Sequence, residues 1–414
     1  MSSKFSINDL RAFHRSSGFR TAGKDDKDIF NLSDDMLFYL RSLLSEDVYE
    51  VPDSSSEEWE HFLSCLDEHK IAPLVYSKTK FLPSSLCPPS FVLKVLAKKY
   101  LAAMLYYKEF SEQLHLILNA LENINVIPLV LKGGALRWMV YPDPVTRVSG
   151  DIDLLLKEED VLKAREVLES MGYTDPENRF LKYKTIICED EFYPGETKNF
   201  GFLVELHWSL YKYNSFFAVS VEELFENAVV VQAKDFSFYS LDLVGTMIHC
   251  STHLTLSHNK QISVFWIYDI MLLANRLESP EYWRILQDEC KHWNNILAVE
   301  NALKLAQIWT GLSLPQGFED FSKWPVPSQN ELEIWNYSLQ RHSNIIAKIK
   351  LHWKIPASRW LKIKLMFRDF FPSPRRIQKI GAGSKERWLP LSYLKLWRKY
   401  VLKLMRDLLK NSYS

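Results

Sequence analysis

Cysteine is scarce in this chain and follows no pairing pattern. The five cysteines, at 65, 87, 188, 250 and 290 of 414 residues, are odd in number and form no C-x-x-C pair. That argues against a disulfide framework and a zinc-thiolate site, and it fits a reducing cytoplasm. No run of 18 or more apolar residues occurs, so no membrane-spanning helix is expected. The opening MSSKFSINDLRAFHRSS lacks the apolar centre of a secretory signal. Neither phosphate-binding fingerprint, G-x-x-x-x-G-K-[ST] or G-x-G-x-x-G, is present. Zinc fingers, KH loops and RNP motifs are also missing, as are internal repeats and low-complexity tracts.

Net charge is zero, with 51 basic and 51 acidic residues, but the balance is local. From Arg341 onward there are 19 Lys and Arg against 3 Asp and Glu, which leaves 32 against 48 upstream. Such a basic segment suits nucleic acid or another acidic partner, or it wraps the acidic body of its own chain. Its last stretch, 392–410, is a basic amphipathic helix by pattern, a form that also suits a membrane surface.

What is present is enough apolar sequence, 47% of residues, for a large core and two or three domains. Helical periodicity covers 33–45, 54–70 with a capping-box start, and a long stretch 91–124. Residues 1–122 therefore read as an N-terminal helical region. An α+β core follows over 123–236. Its expected elements are strand 126–131, a short helix 135–141, strand 151–156, helix 158–172 and strands near 179–187 and 201–208. Residues 188–199 read as a turn or surface loop. Helical patterns return at 241–256, 261–276, 280–293 and 295–309, giving a helical domain over 237–325. A basic, mostly helical region occupies 326–414.

The chemistry concentrates between residues 126 and 156. Asp151 and Asp153 are two residues apart, so a strand presents both on one face. Side by side they repel, and a divalent cation turns that repulsion into coordination; Mg²⁺ is commonly held by one or two carboxylates plus substrate phosphates. Glu205 lies in the apolar run LVELHW, where a lone acid is costly unless paired or metal-bound. It is the candidate third ligand for a two-ion site of the kind that activates an attacking hydroxyl and stabilises a leaving oxygen. His207 shares its face. Gly133 and Gly134 sit where strand turns to helix, so backbone N–H groups there can approach a triphosphate at the positive end of the helix. Lys132, Arg137 and Arg147 are candidate phosphate partners, and Ser149 a further contact. His249 and His253, four apart on one helix face, line a pocket or are structural; zinc would need a third ligand such as Asp269, and H-E-x-x-H is absent.

Taken together, residues 132–156 (KGGALRWMVYPDPVTRVSGDIDLLL) and 203–210 (LVELHWSL) resemble the nucleotidyltransferase superfamily related to DNA polymerase beta. More narrowly, the chain resembles the bacterial nucleotidyltransferases of the Nucleotidyltransferase-5 type. Later segments carry the likeness too: HCSTHLTLSH at 249–258, WIYDI at 266–270, FPSP at 371–374 and WLPLSYL at 388–394. The resemblance implies a mixed-sheet core of five strands, a nucleoside triphosphate and Mg²⁺, two ions in all. It implies metal binding by Asp151, Asp153 and Glu205, and phosphate contact at Gly133 and Gly134. Relatives commonly have Gly-Ser at that turn, and here Gly134 stands in the serine's place; Gly150 likewise replaces the serine before Asp151. The expected reaction is transfer of a nucleoside monophosphate to an acceptor hydroxyl on a small molecule, protein or RNA, with release of pyrophosphate. The alternatives are an RNA-directed transferase and a nucleotide- or RNA-binding protein of the same fold with weak or lost catalysis.

Overall fold

The computed structural model describes residues 32–184, 187–195, 201–212, 216–257 and 262–340, with a few positions between 353 and 398. The chain divides into two units, Met1–Glu331 and Leu332–Ser414. In the second unit, Lys354 pairs with Glu333 at 2.5 Å. The amphipathic stretch 392–410 lies outside the described residues, Arg398 excepted, as do FPSP and WLPLSYL.

The first unit opens with helices α1 (Asp34–Ser45), α2 (Ser56–Glu68) and α3 (Ala72–Thr79). Ser55 and Glu58 form the expected reciprocal capping box on α2. Pro73 sits in the first turn of α3, where a missing N–H costs nothing, within a stretch that carries no clear helical period in the sequence. Helix α4 (Ser90–Glu122) is 33 residues long, roughly 50 Å at 1.5 Å per residue. Val92, Leu96, Ala103, Phe110, Leu114, Ile117 and Leu121 form its single buried stripe.

Strand β1 (Leu129–Val130) leads into α5 (Lys132–Met139) and then β2 (Asp151–Leu155). Then follow α6 (Val161–Ser170), β3 (Tyr173–Thr174), α7 (Arg179–Tyr183), β4 (Glu189–Pro194) and β5 (Leu203–His207). Helix α8 (Val221–Glu226) precedes a hairpin of β6 (Val229–Gln232) and β7 (Ser237–Ser240). Helices α9 (Leu243–Thr252), α10 (Val264–Arg276), α11 (Pro280–Trp293) and α12 (Ile296–Thr310) follow, with α1 packing back on α12, and a further helix, α13 (Gln329–Gln340), starts at the end of this unit.

The strands make one mixed sheet in the order β3-β4-β5-β2-β1-β7-β6. Central β2 is antiparallel to β1 and parallel to β5. This confirms a mixed α/β fold with a central sheet flanked by helices; the described sheet has seven strands rather than five. Alternation sorts its two faces. Ile152, Leu154, Val204 and Leu206 join Phe110, Leu114, Ile117 and Leu121 of α4 and Val161, Ala164 and Leu168 of α6 in one core. Each such aliphatic side chain contributes about 1.5–3 kcal/mol by leaving water. Asp151, Asp153, Glu205 and His207 therefore stand on the opposite face.

Three of the expected segments fold otherwise than read. Residues 179–183 are helical, not extended, because distant carboxylates capture the helix start: Asp190 accepts from the N–H groups of Arg179 (2.6 Å) and Phe180 (3.1 Å). The expected loop 188–199 contains β4, which pairs antiparallel with β5. Strand β1 is only two residues long, since Pro128 has no N–H to give the ladder.

Candidate functional site

The site begins with register. Parallel pairing of β2 and β5 sets Asp153 beside Glu205, and Asp151 beside Leu203. Like charges directly opposite destabilise a sheet, so this pair requires compensation. Lys132 supplies it, with Nζ 2.6 Å from Asp153 Oδ1 and 3.6 Å from Glu205 Oε2. Its ammonium lies between carboxylates as a bound cation would. The backbone of Lys132 is left-handed, with φ +49°, a conformation that costs a non-glycine residue about 1–2 kcal/mol. Strain of this kind collects where a site dictates the side chain's direction.

Because β1 and β2 are antiparallel, the end of β1 lies beside the start of β2. Leu131 N–H donates to Asp153 O at 3.0 Å, so α5 opens next to the carboxylates. The glycines are buried in its first turn. A Cβ on Gly133 would overlap Ser149 Oγ and come within 2.8 Å of Arg147 Nη1, and one on Gly134 would meet Val130 Cγ1 at 3.0 Å. The glycines thus allow α5 to sit directly on the 147–149 loop and on β1.

His207 extends the cluster. Its Nε2 lies 3.0 Å from Asp153 Oδ1 and 3.5 Å from Glu205 Oε2, and its Nδ1 lies 3.7 Å from Glu189 Oε2. The ring is buried, and Nδ1 has no hydrogen-bond partner. Glu189 comes from β4, where it pairs in register with His207, and its other oxygen is 2.8 Å from Lys212 Nζ. Sequence reasoning missed Glu189 and Cys188 because the acidic run CEDEFYP looks like a loop. The available signal was alternation: Cys188, Asp190 and Phe192 are buried between more open neighbours.

The electrostatics follow from this packing. Burial lifts the Asp151 carboxyl, Asp153 adds repulsion, and its pKa reaches about 7 despite Lys132. Burial works the same way on Glu205, but His207 and Lys132 outweigh it and hold this group well below the carboxylate range. Glu189 is drawn down to about 2 by Lys212 and His207 against the effect of burial. For Lys132, burial favours the neutral amine, yet Asp153 and Glu205 keep it charged well above its usual range. Burial and Lys132 also oppose charge on His207, and contacts with Asp153, Cys188 and Glu205 raise it nonetheless.

The remaining expected residues occupy the floor. Arg147 is committed to Asp269 of α10 through two bonds of 2.8 Å, Nε to Oδ1 and Nη2 to Oδ2, and Tyr141 donates to the same carboxylate at 2.7 Å. Arg137 is fully buried, its guanidinium 3.7 Å from the Phe110 ring centre and its Nε 3.3 Å from Gly133 O. Its Nη2 lacks a partner, and burial, then Arg147, lowers its pKa to about 9. Ser149 is buried beneath Gly133, with its carbonyl accepting from Tyr106 at 2.7 Å. Asp269 is thus occupied by arginine, and His253 lies edge-on to Trp266. His249 is buried with neither ring nitrogen partnered; burial, then the charges of Lys132 and His207, keeps it neutral.

Two groups among the described residues converge closely enough to hold a metal ion: Asp153 with Glu205 and His207, and Cys188 with Glu189 and His207. Asp151 adjoins the first group along β2 without belonging to it. The carboxylates of the first group, already holding a cation in the form of Lys132, suit a hard divalent ion such as Mg²⁺. Among the described residues no helix is long and apolar enough to cross a membrane. No curated protein matches the chain. Comparison with protein families matches residues 55–311, more than half the chain, to a family described as uncharacterised nucleotidyltransferase. That span runs from α2 to the end of α12 and includes every carboxylate of the site, so the chain belongs to this nucleotidyltransferase family, part of the polymerase-beta-like superfamily.

Proposed function

We propose that this chain moves a nucleoside monophosphate from a nucleoside triphosphate to an acceptor hydroxyl, releasing pyrophosphate. The observation that carries the reading is the register pair Asp153–Glu205, bridged by a cation at the opening of a glycine-started helix. Asp151, Asp153 and Glu205 would hold Mg²⁺, two ions in the full assembly. Bound there, Mg²⁺ supplies Lewis-acid stabilisation of phosphate oxygens and lowers the acceptor's pKa.

The protein's own part is positioning and charge. With an ion on the carboxylates, the Lys132 ammonium would be free to pair with the triphosphate. The first amides of α5, at Gly133 and Gly134, face the phosphates with the positive end of the helix. Arg137, buried with no carboxylate on it among the described ion pairs, adds positive potential below that turn. Arg147 and Ser149 fix the loop that carries Asp151 rather than reaching phosphate themselves. The acceptor oxygen attacks the α-phosphorus, the bond to the bridging oxygen of pyrophosphate breaks, and the acceptor proton passes to solvent. Such chemistry rests on orientation and electrostatics, with little demand for a protein base. Residues 123–236 form the transfer core, and 237–325, with neutral His249, line the acceptor side.

A second reading draws on the Lys132 ammonium: if it keeps the cation's place, the chain binds nucleotide without transferring it. One experiment separates the two. Purified protein is incubated with each α-labelled nucleoside triphosphate, Mg²⁺ and fractionated cell extract. Label on a small molecule, protein or RNA, lost in Asp153→Asn, supports transfer and names the acceptor class. Nucleotide binding without pyrophosphate release supports the second reading, and Asp153→Asn with unchanged transfer overturns the first.

A further inference from the structure

The second converging group differs in chemistry from the carboxylate site. Cys188, Glu189 and His207 present a sulfur, an oxygen and a ring nitrogen within 4.8 Å of one another. Cys188 Sγ lies 3.6 Å from Glu189 Oε2, and His207 Nδ1 lies 3.7 Å from the same oxygen. Tetrahedral ligands at bond lengths of about 2.0–2.3 Å are themselves roughly 3.3–3.7 Å apart. The two edges at Glu189 Oε2 therefore have the length a tetrahedral site requires, and the third, between sulfur and ring nitrogen, is within 4.8 Å.

Two further observations point to a ligand. His207 Nδ1 is buried and makes no hydrogen bond of normal geometry, although buried ring nitrogens are normally satisfied; what it faces is the Cys188 thiol and Glu189 Oε2. It is aimed at Glu189 rather than into the apolar core. The other nitrogen of the ring, Nε2, is 3.0 Å from Asp153 Oδ1. Metal-ligating histidines characteristically give their remaining N–H to a carboxylate, which fixes the tautomer and turns the free nitrogen to the metal. Lys212 holds the far oxygen of Glu189 at 2.8 Å and leaves Oε2 toward the sulfur.

We infer that Cys188, Glu189 and His207 form a binding site for a borderline-soft divalent ion of the Zn²⁺ class, set behind the carboxylate site and sharing its histidine. Sulfur and imidazole donors favour Zn²⁺ over Mg²⁺, whereas the oxygen donors of Asp153 and Glu205 favour the reverse. The two sites thus choose different metals. Binding displaces the protons on Cys188 Sγ and His207 Nδ1, and the resulting thiolate and carboxylate balance the ion's charge. The ion would also lock His207 in the tautomer that donates to Asp153. No C-x-x-C pair announces such a site, because its ligands come from two strands and only one is cysteine. It does not rest on the transfer reaction, and a protein that transfers nothing would still bind the ion.

The test uses Co²⁺ as a spectroscopic substitute for Zn²⁺ on the metal-stripped full chain. With excess Mg²⁺ present to fill the carboxylate site, the site predicts one Co²⁺ per chain with a near-ultraviolet thiolate-to-cobalt charge-transfer band, displaced by Zn²⁺. Cys188→Ser should abolish that band and weaken Zn²⁺ binding a hundredfold or more. Should Cys188→Ser fold poorly, Glu189→Gln serves instead; it should keep the band and weaken Zn²⁺ binding at least tenfold. Co²⁺ bound without a thiolate band, a band that survives in Cys188→Ser, or Zn²⁺ affinity unchanged in Glu189→Gln would each overturn the site.

Discussion

Replacing Lys132 by Met removes the ammonium and keeps most of the side chain's bulk. The structure sets the cost. Lys132 Nζ is 2.6 Å from Asp153, and Asp153 is 1% exposed. Breaking a buried pair by removing one partner typically costs 3–5 kcal/mol, because the other charge stays behind. His207 still lies 3.0 Å from Asp153, so the lower end applies, about 3 kcal/mol. The left-handed backbone at residue 132 is strained equally by Lys and Met and drops out of the comparison. For a unit of this size a loss of about 3 kcal/mol corresponds to a melting temperature roughly 4 °C lower. That loss should appear in the presence of a chelator. Saturating Mg²⁺ should then stabilise Lys132→Met more than wild type, since in wild type the ion must first displace the ammonium. Scanning calorimetry of both proteins, with chelator and with Mg²⁺, gives four melting temperatures that decide the matter. Equal stability in chelator, or an equal Mg²⁺ gain in the two proteins, would refute the view that Lys132 occupies the cation's place.

Other outcomes follow from the same geometry. Asp151 has its folded pKa raised from 3.8 to about 7, so the folded state resists ionisation that the unfolded state accepts. In chelator, wild-type stability contributed here is intact below about pH 4 and is lost as pH rises toward 7; Asp151→Asn should match wild type at the acid end and exceed it by up to roughly 4 kcal/mol at pH 8, measured by denaturant titration. The glycines should rank by what a side chain would meet: Gly133→Ala, against Ser149 and Arg147, should lower the melting temperature most. Gly134→Ser, against Val130, should cost about 1–3 kcal/mol, and Gly150→Ala, with only Lys70 Nζ at 3.6 Å, should be near neutral. Arg137→Met should leave thermal stability nearly unchanged, since among the described residues the buried cation has no carboxylate ion pair, yet weaken triphosphate binding tenfold or more in a calorimetric titration; unchanged binding would make Arg137 a packing residue.

Much of this was legible in the sequence, and the parts that were not have physical reasons. Amphipathic stripes and caps identified α1, α2 and α4, since those signals are local. The Asp-x-Asp strand was legible because its spacing and apolar continuation together specify one buried strand. Glu205 stood out as an acid in an apolar run, but its partner did not: Asp153 and Glu205 meet through β2–β5 register. The helix at 179–183 was hidden because its cap, Asp190, comes from another strand. Strand β4 was hidden because its polar residues find partners only after folding: Asp190 pairs with Arg165 at 2.6 Å and Glu191 with Arg179 at 2.9 Å. Strands β6 and β7 did carry a signal, in Val229–Val231 and the alternation of Phe236 and Phe238, which no expected element absorbed. The basic residues were the hardest to place. Lys132, Arg137 and Arg147 look alike in sequence, yet the fold gives one to carboxylates, one to an aromatic ring and one to Asp269.

The central claim, that Asp153 and Glu205 are a divalent-cation site serving a nucleotide, can be measured without knowing the acceptor. Mn²⁺ binding, followed by its paramagnetic resonance signal, should be strengthened by a nucleoside triphosphate in wild type. It should fall at least a hundredfold in Asp153→Asn and in Glu205→Gln, both still folded by circular dichroism. Mn²⁺ bound by the two variants as tightly as by wild type, with or without nucleotide, would contradict it.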